Sequence, residues 1–476
     1  MPALVVAGTV LFAPMAASPQ AQALSLSDAV RYALAHNPTV AQQASALAQA
    51  QNALALQKGL TFPTINGSLQ SYLTKSSASY GGIYQVIGAQ QQNVFSQNTA
   101  SIGSQYTLNA GGLGFLKLAQ SQAQVDQSAA TLKRTRAQIA SSVTAAFYGI
   151  AQKNALVAID QNDLSYQNIL LQNAKAKERA GIAAGVDVLR AQVAQEKSAS
   201  TVVADKAAVL DAQEALAQSV GVPIQTAFDV PTTIAQPALP QGTVDTLVSI
   251  AQNTRPDIRA AQYALRDARL VRKGFDRELF PQIQLNGSFG NQFSPTNAVS
   301  QQAAIDSQFA AENAALIAGG HPPLPLSAKP IVSRGSPGYW SIGATTTFTL
   351  PFVDYGARHT ERVEDDASIA AAQASLDTAQ GQAELDVRQA YRAAQTAQSQ
   401  LAYAQDESRL GVEAARIAQL QYQNGIIALS DVAQAEQTSV AAQSDLINAR
   451  VNYVNAIVNL RVALGTYDAD NAVADF

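Results

Sequence analysis

The chain has 476 residues, 47% hydrophobic, 14% charged and only 6% aromatic, with a formal net charge of -4 and a pI near 5.5. It has no cysteine, which excludes a disulfide framework, a thiolate metal site, a cysteine nucleophile and a lipid-modified N-terminal cysteine. The slightly acidic balance argues against nucleic-acid binding, and the Ala/Gln-rich body suits long, closely packed helices better than a bulky globular core.

Residues 1–23 read as a signal peptide, with an apolar run from Leu4 to Met15 and an A-x-A site at Ala21-Gln22-Ala23. No later apolar run reaches the ~18 to 20 residues of a transmembrane helix. A first structural repeat is expected over 24–223. Asn37-Pro38 precedes an Ala-rich helix ending at Phe62-Pro63-Thr64-Ile65, and strands follow at about 63–75 and 99–110. From Leu116 to Ala180 there is no proline and one internal glycine, Gly149, which allows a near-continuous helix of ~65 residues, roughly 100 Å long. A tight turn at Gly181–Asp187 and a helix closed by Gly221 complete the copy. After a linker at 224–242, the pattern returns over 243–467. Pro256 and Pro281 stand as far apart as Pro38 and Pro63, strands fall at about 281–293 and 339–350, and a second turn spans Gly425–Asp431. The second copy carries extra residues. These are placed in 294–338, read as a long loop because it holds Pro322, Pro323, Pro325, Pro330 and Pro337. Residues 468–476 form a C-terminal tail.

The strands are inferred from alternation. Ile342, Ala344, Thr346, Phe348 and Leu350 interleave with Ser341, Gly343, Thr345, Thr347 and Thr349, and Ile102, Ser104, Tyr106 and Leu108 alternate with small polar residues in the first copy. A two-sided sheet in a soluble domain fits this alternation as well as membrane strands do. Tyr72, Tyr80, Tyr84, Phe95, Phe289, Phe293, Tyr339 and Trp340 crowd these segments, as interfacial girdles require. The helices carry heptads. Val432, Ser439, Leu446, Tyr453 and Leu460 recur at sevens, with Ala435, Ala442, Ala449, Ala456 and Ala463 three residues on. Val188, Val202, Val209 and Leu216 repeat the register in the first copy, and Ile369, Leu376, Ala383, Ala390, Ala397 and Ala404 continue it before the second turn. Four bilayer-length strands cannot close a barrel alone, so copies must share one. Two copies would give eight strands and three twelve, and sequence physics does not choose.

No enzymatic constellation emerges. His36, His321 and His359 are too scattered for a zinc site or a triad, and the acidic run Glu361, Glu364, Asp365 and Asp366 suits the start of a helix. Neither a cofactor nor a metal is expected. Gly111, Gly112 and Gly114 lack the Gly-Lys-Ser/Thr of a phosphate loop and read as a strand-to-helix turn.

The tandem halves, the Asn-Pro and Arg-Pro helix starts, Phe-Pro-x-Ile before each first strand, Leu350-Pro351-Phe352-Val353-Asp354-Tyr355-Gly356 and the paired Gly-x5-Asp-Val turns together resemble the TolC-like outer membrane efflux protein family. The resemblance covers essentially the whole mature chain. It implies a mostly α fold with β: a homotrimer whose long helices form a periplasmic α-barrel and whose strands share a twelve-stranded outer-membrane β-barrel. It further implies a passive exit duct in outer-membrane lipid, docked through a periplasmic adaptor onto an inner-membrane pump of RND, ABC or MFS type and serving drug efflux, other small-molecule export or type I secretion. By the same resemblance, Asp431 contributes to a pore-narrowing carboxylate ring and Tyr422 to closing contacts, with Asp187 in the equivalent turn. A second acidic position of the family is Gln434 here and an arginine-bearing gate position is Ile427. Gly181, Ile182, Gly425, Ile426 and Ile427 form the adaptor-docking turns. Capping of the following helices explains Asp187 and Asp431 equally. A trimeric coiled-coil structural protein without a conduit is the other reading of the heptads.

Overall fold

Each half of the chain opens with a helix that stops one residue before a proline. Asn37 and Arg255 are extended, at φ -65 ψ 127 and φ -63 ψ 128, because proline excludes the helical conformation from the residue before it. The next helix restarts on the proline, whose missing N–H costs nothing at a first turn. The computed structural model describes residues 24–78, 91–181, 184–226, 228–230, 234, 236–293, 295–326, 338–348 and 355–467. The expected signal peptide, C-terminal tail and Ile182, with Tyr80, Tyr84 and most of the Leu350–Gly356 junction, lie outside them.

The helical elements of the first half are α1 (Leu26–His36), α2 (Pro38–Gly59), α3 (Leu113–Arg179) and α4 (Gly185–Val220). The second half gives α5 (Val244–Thr254), α6 (Pro256–Arg277), α8 (Ala357–Gln423) and α9 (Leu429–Leu464). Equivalent helices match in length: 11 residues for α1 and α5, 22 for α2 and α6, 67 for α3 and α8, and 36 for α4 and α9.

The chain divides into two compact units. The first comprises the described residues of 24–50, 124–265 and 371–467. Its organising element is α9, apolar on two faces. Val451, Val454 and Val458 pack with Val143, Phe147 and Ile150 of α3 and with Val30, Leu216 and Val220. Tyr453, Ile457 and Leu460 pack with Val387, Ala394 and Leu401 of α8 and with Leu247 and Ala251 of α5. Each large apolar side chain so buried contributes about 1.5–3 kcal/mol. The small heptad seam allows the close approach. Gly411 of α8 continues that seam, and a Cβ there would lie 3.4 Å from Ala442 Cβ and from Ser439 Cα. The repeat also governs the corners, where Asn37 Nδ2 donates to the Ser219 carbonyl at 3.4 Å and Arg255 Nη1 donates to the Ala463 carbonyl at 3.2 Å. Arg255 is additionally held by Asp257 at 2.7 Å and Asp386 at 2.9 Å.

The second unit comprises residues 51–123 and 266–370. Its sheet runs β1-β2-β3-β4, with β1 at Thr64–Ala78, β2 at Gln91–Asn109, β3 at Gln282–Phe293 and β4 at Gly338–Thr347. All neighbouring pairs are antiparallel, with Gly67 opposite Ile102, Ile102 opposite Phe289 and Phe289 opposite Trp340. Left-handed Gly112 (φ 71) and Gly356 (φ 83) turn the chain from strand to helix. Arg277 Nη1 donates to the Gly111 carbonyl at 2.6 Å, and Arg358 Nη2 to the Phe275 carbonyl at 3.1 Å. Asp366, from the acidic run, pairs with Arg272 at 3.0 Å.

Two expectations need correction. The segment 294–338 is not one long loop, since α7 occupies Pro295–Ala318 and packs against β2. The prolines that suggested a loop all lie beyond His321, whereas Pro295 sits at a helical first turn and an Ala/Gln-rich run follows it. Asn313 pins the returning chain, its Oδ1 accepting from Leu324 N at 2.7 Å. The strand β2 also starts earlier than expected, because Gln91–Asn98 is mostly polar on both faces and shows no alternation.

Gly221 and Gly465 both end helices in the left-handed region, at φ 84 and φ 69. A Cβ at Gly465 would meet Arg255 Cα at 2.9 Å, whereas at Gly221 the nearest atom is 4.0 Å away. Both alanine variants bear the left-handed penalty of about 1–2 kcal/mol. Gly465→Ala is expected to lower the thermal midpoint clearly more than Gly221→Ala, as read by far-ultraviolet circular dichroism in detergent.

Candidate functional site: a two-faced sheet and two helical turns

Residues paired across the sheet share a face, and the register sorts them sharply. One face carries Ile65 and Leu69 from β1, Ile102 and Leu108 from β2, Ile283, Leu285 and Phe289 from β3, and Trp340, Ile342 and Phe348 at and just beyond β4. Many of these are open to the surroundings, Leu69 at 82%, Trp340 at 75% and Ile342 at 83%. The opposite face carries Asn66, Ser68 and Gln70; Ser101, Gln105, Thr107 and Asn109; Gln282, Gln284, Asn286 and Ser288; and Ser341, Thr345 and Thr347. Ser68 and Ser101 hydrogen-bond across it at 2.7 Å, as do Ser288 and Ser341. Among the described side chains of the strands, this polar face holds no Asp, Glu, Lys or Arg. An exposed apolar face opposite an uncharged, hydrogen-bonding one is what a strand between hydrocarbon and a water-filled lumen requires.

In the helical unit, the turn between α3 and α4 bends at Gly181 (φ 74) and that between α8 and α9 at Gly425 (φ 75). Gly181 N donates to the Glu178 carbonyl at 2.9 Å, and Gly425 N to the Tyr422 carbonyl at 3.0 Å. Below the turns a small core joins Leu170, Ala174, Ala191, Tyr422, Leu429 and Val432, with Ile427 against it. The two neighbouring isoleucines therefore diverge, Ile427 half-buried and Ile426 68% exposed.

Tyr422 is buried and gripped from α3. Lys177 Nζ stands 3.7 Å from its ring centroid and donates to its carbonyl at 3.1 Å. Burial first, then the charge of Asp187, pushes the Tyr422 phenol up. Lys177 was not singled out in the sequence, and only its place four residues before Gly181 hints at it. Neither aspartate is a helix cap, since Ala184 and Ala428 hold those positions. Asp431 stands in the first turn and reaches back to accept Ala428 N at 3.3 Å, which is one half of a capping box. Asp187 lies 3.7 Å from Arg190. Gln434 is exposed, as is Asp431.

An acidic group beyond this core, farther from the turns, carries no signal in the sequence. Burial, then a hydrogen bond with Asp205 and the charges of Asp205 and Asp163, pushes Asp160 up to about 7. Burial and then the charges of Glu436, Asp163 and Tyr422 raise Tyr166 to about 12, while Glu436 is raised by burial and Asp163. Asp163 itself accepts from the buried Gln167 at 2.9 Å. The group sets carboxyls of α3, α4 and α9 beside one another, where their like charges repel when ionised.

The profile of a family described as outer membrane efflux protein matches residues 29–222 and 247–466, most of both repeats. The chain belongs to the outer membrane efflux protein family. It is an outer-membrane exit duct of the TolC-like kind, with a large helical periplasmic part, and its family is one of channels rather than enzymes. The structure of the outer-membrane channel OprN is similar at 20% identity and a TM-score of 0.70, covering 94% of this chain and 90% of that one. The outer membrane protein VceC of Vibrio cholerae is similar at 18% identity and a TM-score of 0.69, covering 92% and 96%. The open state of the MtrE outer membrane channel of Neisseria gonorrhoeae gives 19% identity and a TM-score of 0.70, covering 92% and 88%. These likenesses establish the shared fold. No curated protein matches the chain.

The acidic group predicts a pH dependence of definite sign. Asp160 holds its proton to about 7 in the fold against 3.8 for an ordinary Asp carboxyl, so the folded state binds more protons in that window. Its contribution is full below the unfolded value and is lost as pH rises through about 7. Thermal midpoints are expected to fall across that interval, and Asp160→Asn is expected to flatten the fall; an unchanged slope in the variant contradicts the assignment.

Proposed function

We propose that three copies of this chain close a twelve-stranded barrel in the outer membrane and conduct solutes passively to the outside. A periplasmic adaptor and an inner-membrane pump deliver those solutes. The observation that carries this reading is the open four-stranded sheet with one apolar face and one uncharged polar face, in a chain of the efflux family. Hydrocarbon does not tolerate an unpaired strand edge, and threefold repetition joins the β1 edge of one copy to the β4 edge of the next. The charge-free polar face suits a conduit that passes varied solutes and leaves selection to the pump, whether of RND, ABC or MFS type. The coiled-coil protein without a conduit leaves the duplicated strand pairs unexplained.

The two turns form the periplasmic entrance in this reading. Asp187 and Asp431 are its carboxylates, and like charges near a threefold axis raise the local cation concentration. Gln434 keeps the second position polar without charge. The Tyr422 closure uses Lys177 in place of the family's arginine, because Ile427 turns into the core. Gly181, Ile182, Gly425 and Ile426 present the surface for the adaptor, with Ile426 as its exposed apolar contact.

Planar-bilayer recordings of the purified protein test the entrance. Asp431→Asn is expected to shift the reversal potential in a salt gradient toward lower cation preference, and an unchanged potential removes the carboxylate from the pore. Lys177→Met is expected to raise the fraction of time in the higher-conductance state by loosening the grip on Tyr422. A photo-reactive residue at position 426 is expected to capture a periplasmic adaptor in the native host, while the same residue at 427 captures far less.

A further inference from the structure

The polar face of the sheet carries one bulky ring among its described side chains. Tyr339 is the second residue of β4 and pairs with Gly290 of β3, which in turn pairs with Ser101 of β2. This row lies toward the end of the sheet where β1 leads to β2 and β3 leads through α7 to β4, the end away from the strand-to-helix turns into α3 and α8 and hence, in the duct, the outer mouth. The ring does not stand out from the wall. A Cβ built on Gly290 would lie 2.8 Å from both Tyr339 Cζ and Tyr339 Oη, and 2.9 Å from the Ala100 carbonyl oxygen. The phenol is therefore laid across β3, in the notch that a missing side chain leaves open. Tyr339 is 37% exposed against 75% for Trp340, its neighbour on the apolar face.

We infer that Gly290 and Tyr339 act as a pair that sets the width of the outer end of the barrel, with the glycine parking the phenol against the wall and thereby fixing the largest solute that leaves. This rests on the reading of the polar face as the lumen. A side chain at position 290 occupies the space of the ring, and the nearest alternatives for a tyrosine on a strand are other staggered rotamers standing away from the sheet. Threefold repetition multiplies the effect, since three lifted rings crowd one opening. Among the described side chains of the strands the other aromatic and large apolar ones lie on the apolar face, and Gly103, Ser288 and Ser341 keep the surrounding wall low. Passage through this level is decided by ring position more than by charge, because the wall around it bears none.

The absence of cysteine gives a clean background for the test. Thr345→Cys places one thiol on the same face, farther from the outer end than Tyr339, and intact cells are treated from outside with a small maleimide and with a bulky polymer-linked maleimide. Both reagents are expected to label the parent, and a parent that neither reagent labels sinks the lumen reading itself rather than the pair. Adding Gly290→Ala is expected to slow the bulky reagent severalfold with little change for the small one, and adding Tyr339→Ser to that variant to restore the parent rate. An unchanged bulky rate in Gly290→Ala overturns the proposal. Tyr339→Ser alone avoids strain at the glycine: a parked ring predicts no acceleration of bulky labelling, and a severalfold acceleration shows a ring that already blocks the mouth.

Discussion

The backbone groups along the free edges of β1 and β4 are the constraint from which the architecture follows. Within the described residues the sheet ends at these two strands, and its apolar face belongs in hydrocarbon. An unpaired N–H or carbonyl there costs several kcal/mol. Such a cost recurs along the edge and cannot be met by local rearrangement, so each edge must find the opposite edge of another copy. The duplication of a helix, strand pair and helices within one gene product gives two hairpins already side by side. The β2–β3 seam inside the chain is thus a rehearsal of the seam between chains.

A second constraint acts in the helical unit. A wall of parallel helices needs each helix to contact a neighbour on either side, so the apolar surface cannot be confined to one stripe. The helix α9 meets this with two buried faces, one toward α3 and one toward α8, and small seam residues such as Ser439 and Ala442 lie on the side toward α8. Gly411 opposite them brings α8 close enough for backbone contact. Larger side chains there would push the helices apart, which is why alanine dominates the composition. The same scarcity of side-chain volume leaves the turns dependent on a few specific contacts. Tyr422 under Lys177, and Leu429 and Val432 against Leu170, bind α3 to the α8–α9 turn, while the Asp160, Asp163, Asp205 and Glu436 carboxyls oppose close packing when ionised.

Repetition made most of this fold legible in the sequence. Signals too weak to trust once, such as a glycine six residues before an aspartate, became informative when they recurred with the same spacing, and the heptads gave buried positions directly. The extra element α7 was misread because its prolines follow the helix rather than interrupt it, and because it has no counterpart in the first repeat. The polar start of β2 was invisible for a different reason: a strand with two hydrophilic faces leaves no period to read. At the turns the glycines and aspartates were found, but Lys177 was not, since a lysine near a helix end carries no pattern and its partner lies 245 positions away. The Gly290 and Tyr339 pairing was hidden likewise, because it exists only in the register of two strands separated by α7.

Interchain pairing of the β1 and β4 edges is the claim on which the duct depends, and engineered disulfides read it directly in a chain without native cysteine. One cysteine on β1 and one on β4, with Ser68 and Thr345 as the first pair and the rest scanned along both edges, are oxidised in intact outer membranes. Covalent species containing several chains, collapsing to one chain on reduction and reaching three chains at most, are the predicted result. Bonds formed only within single chains, with no covalent oligomer at any position along the edges, would contradict a barrel shared between copies.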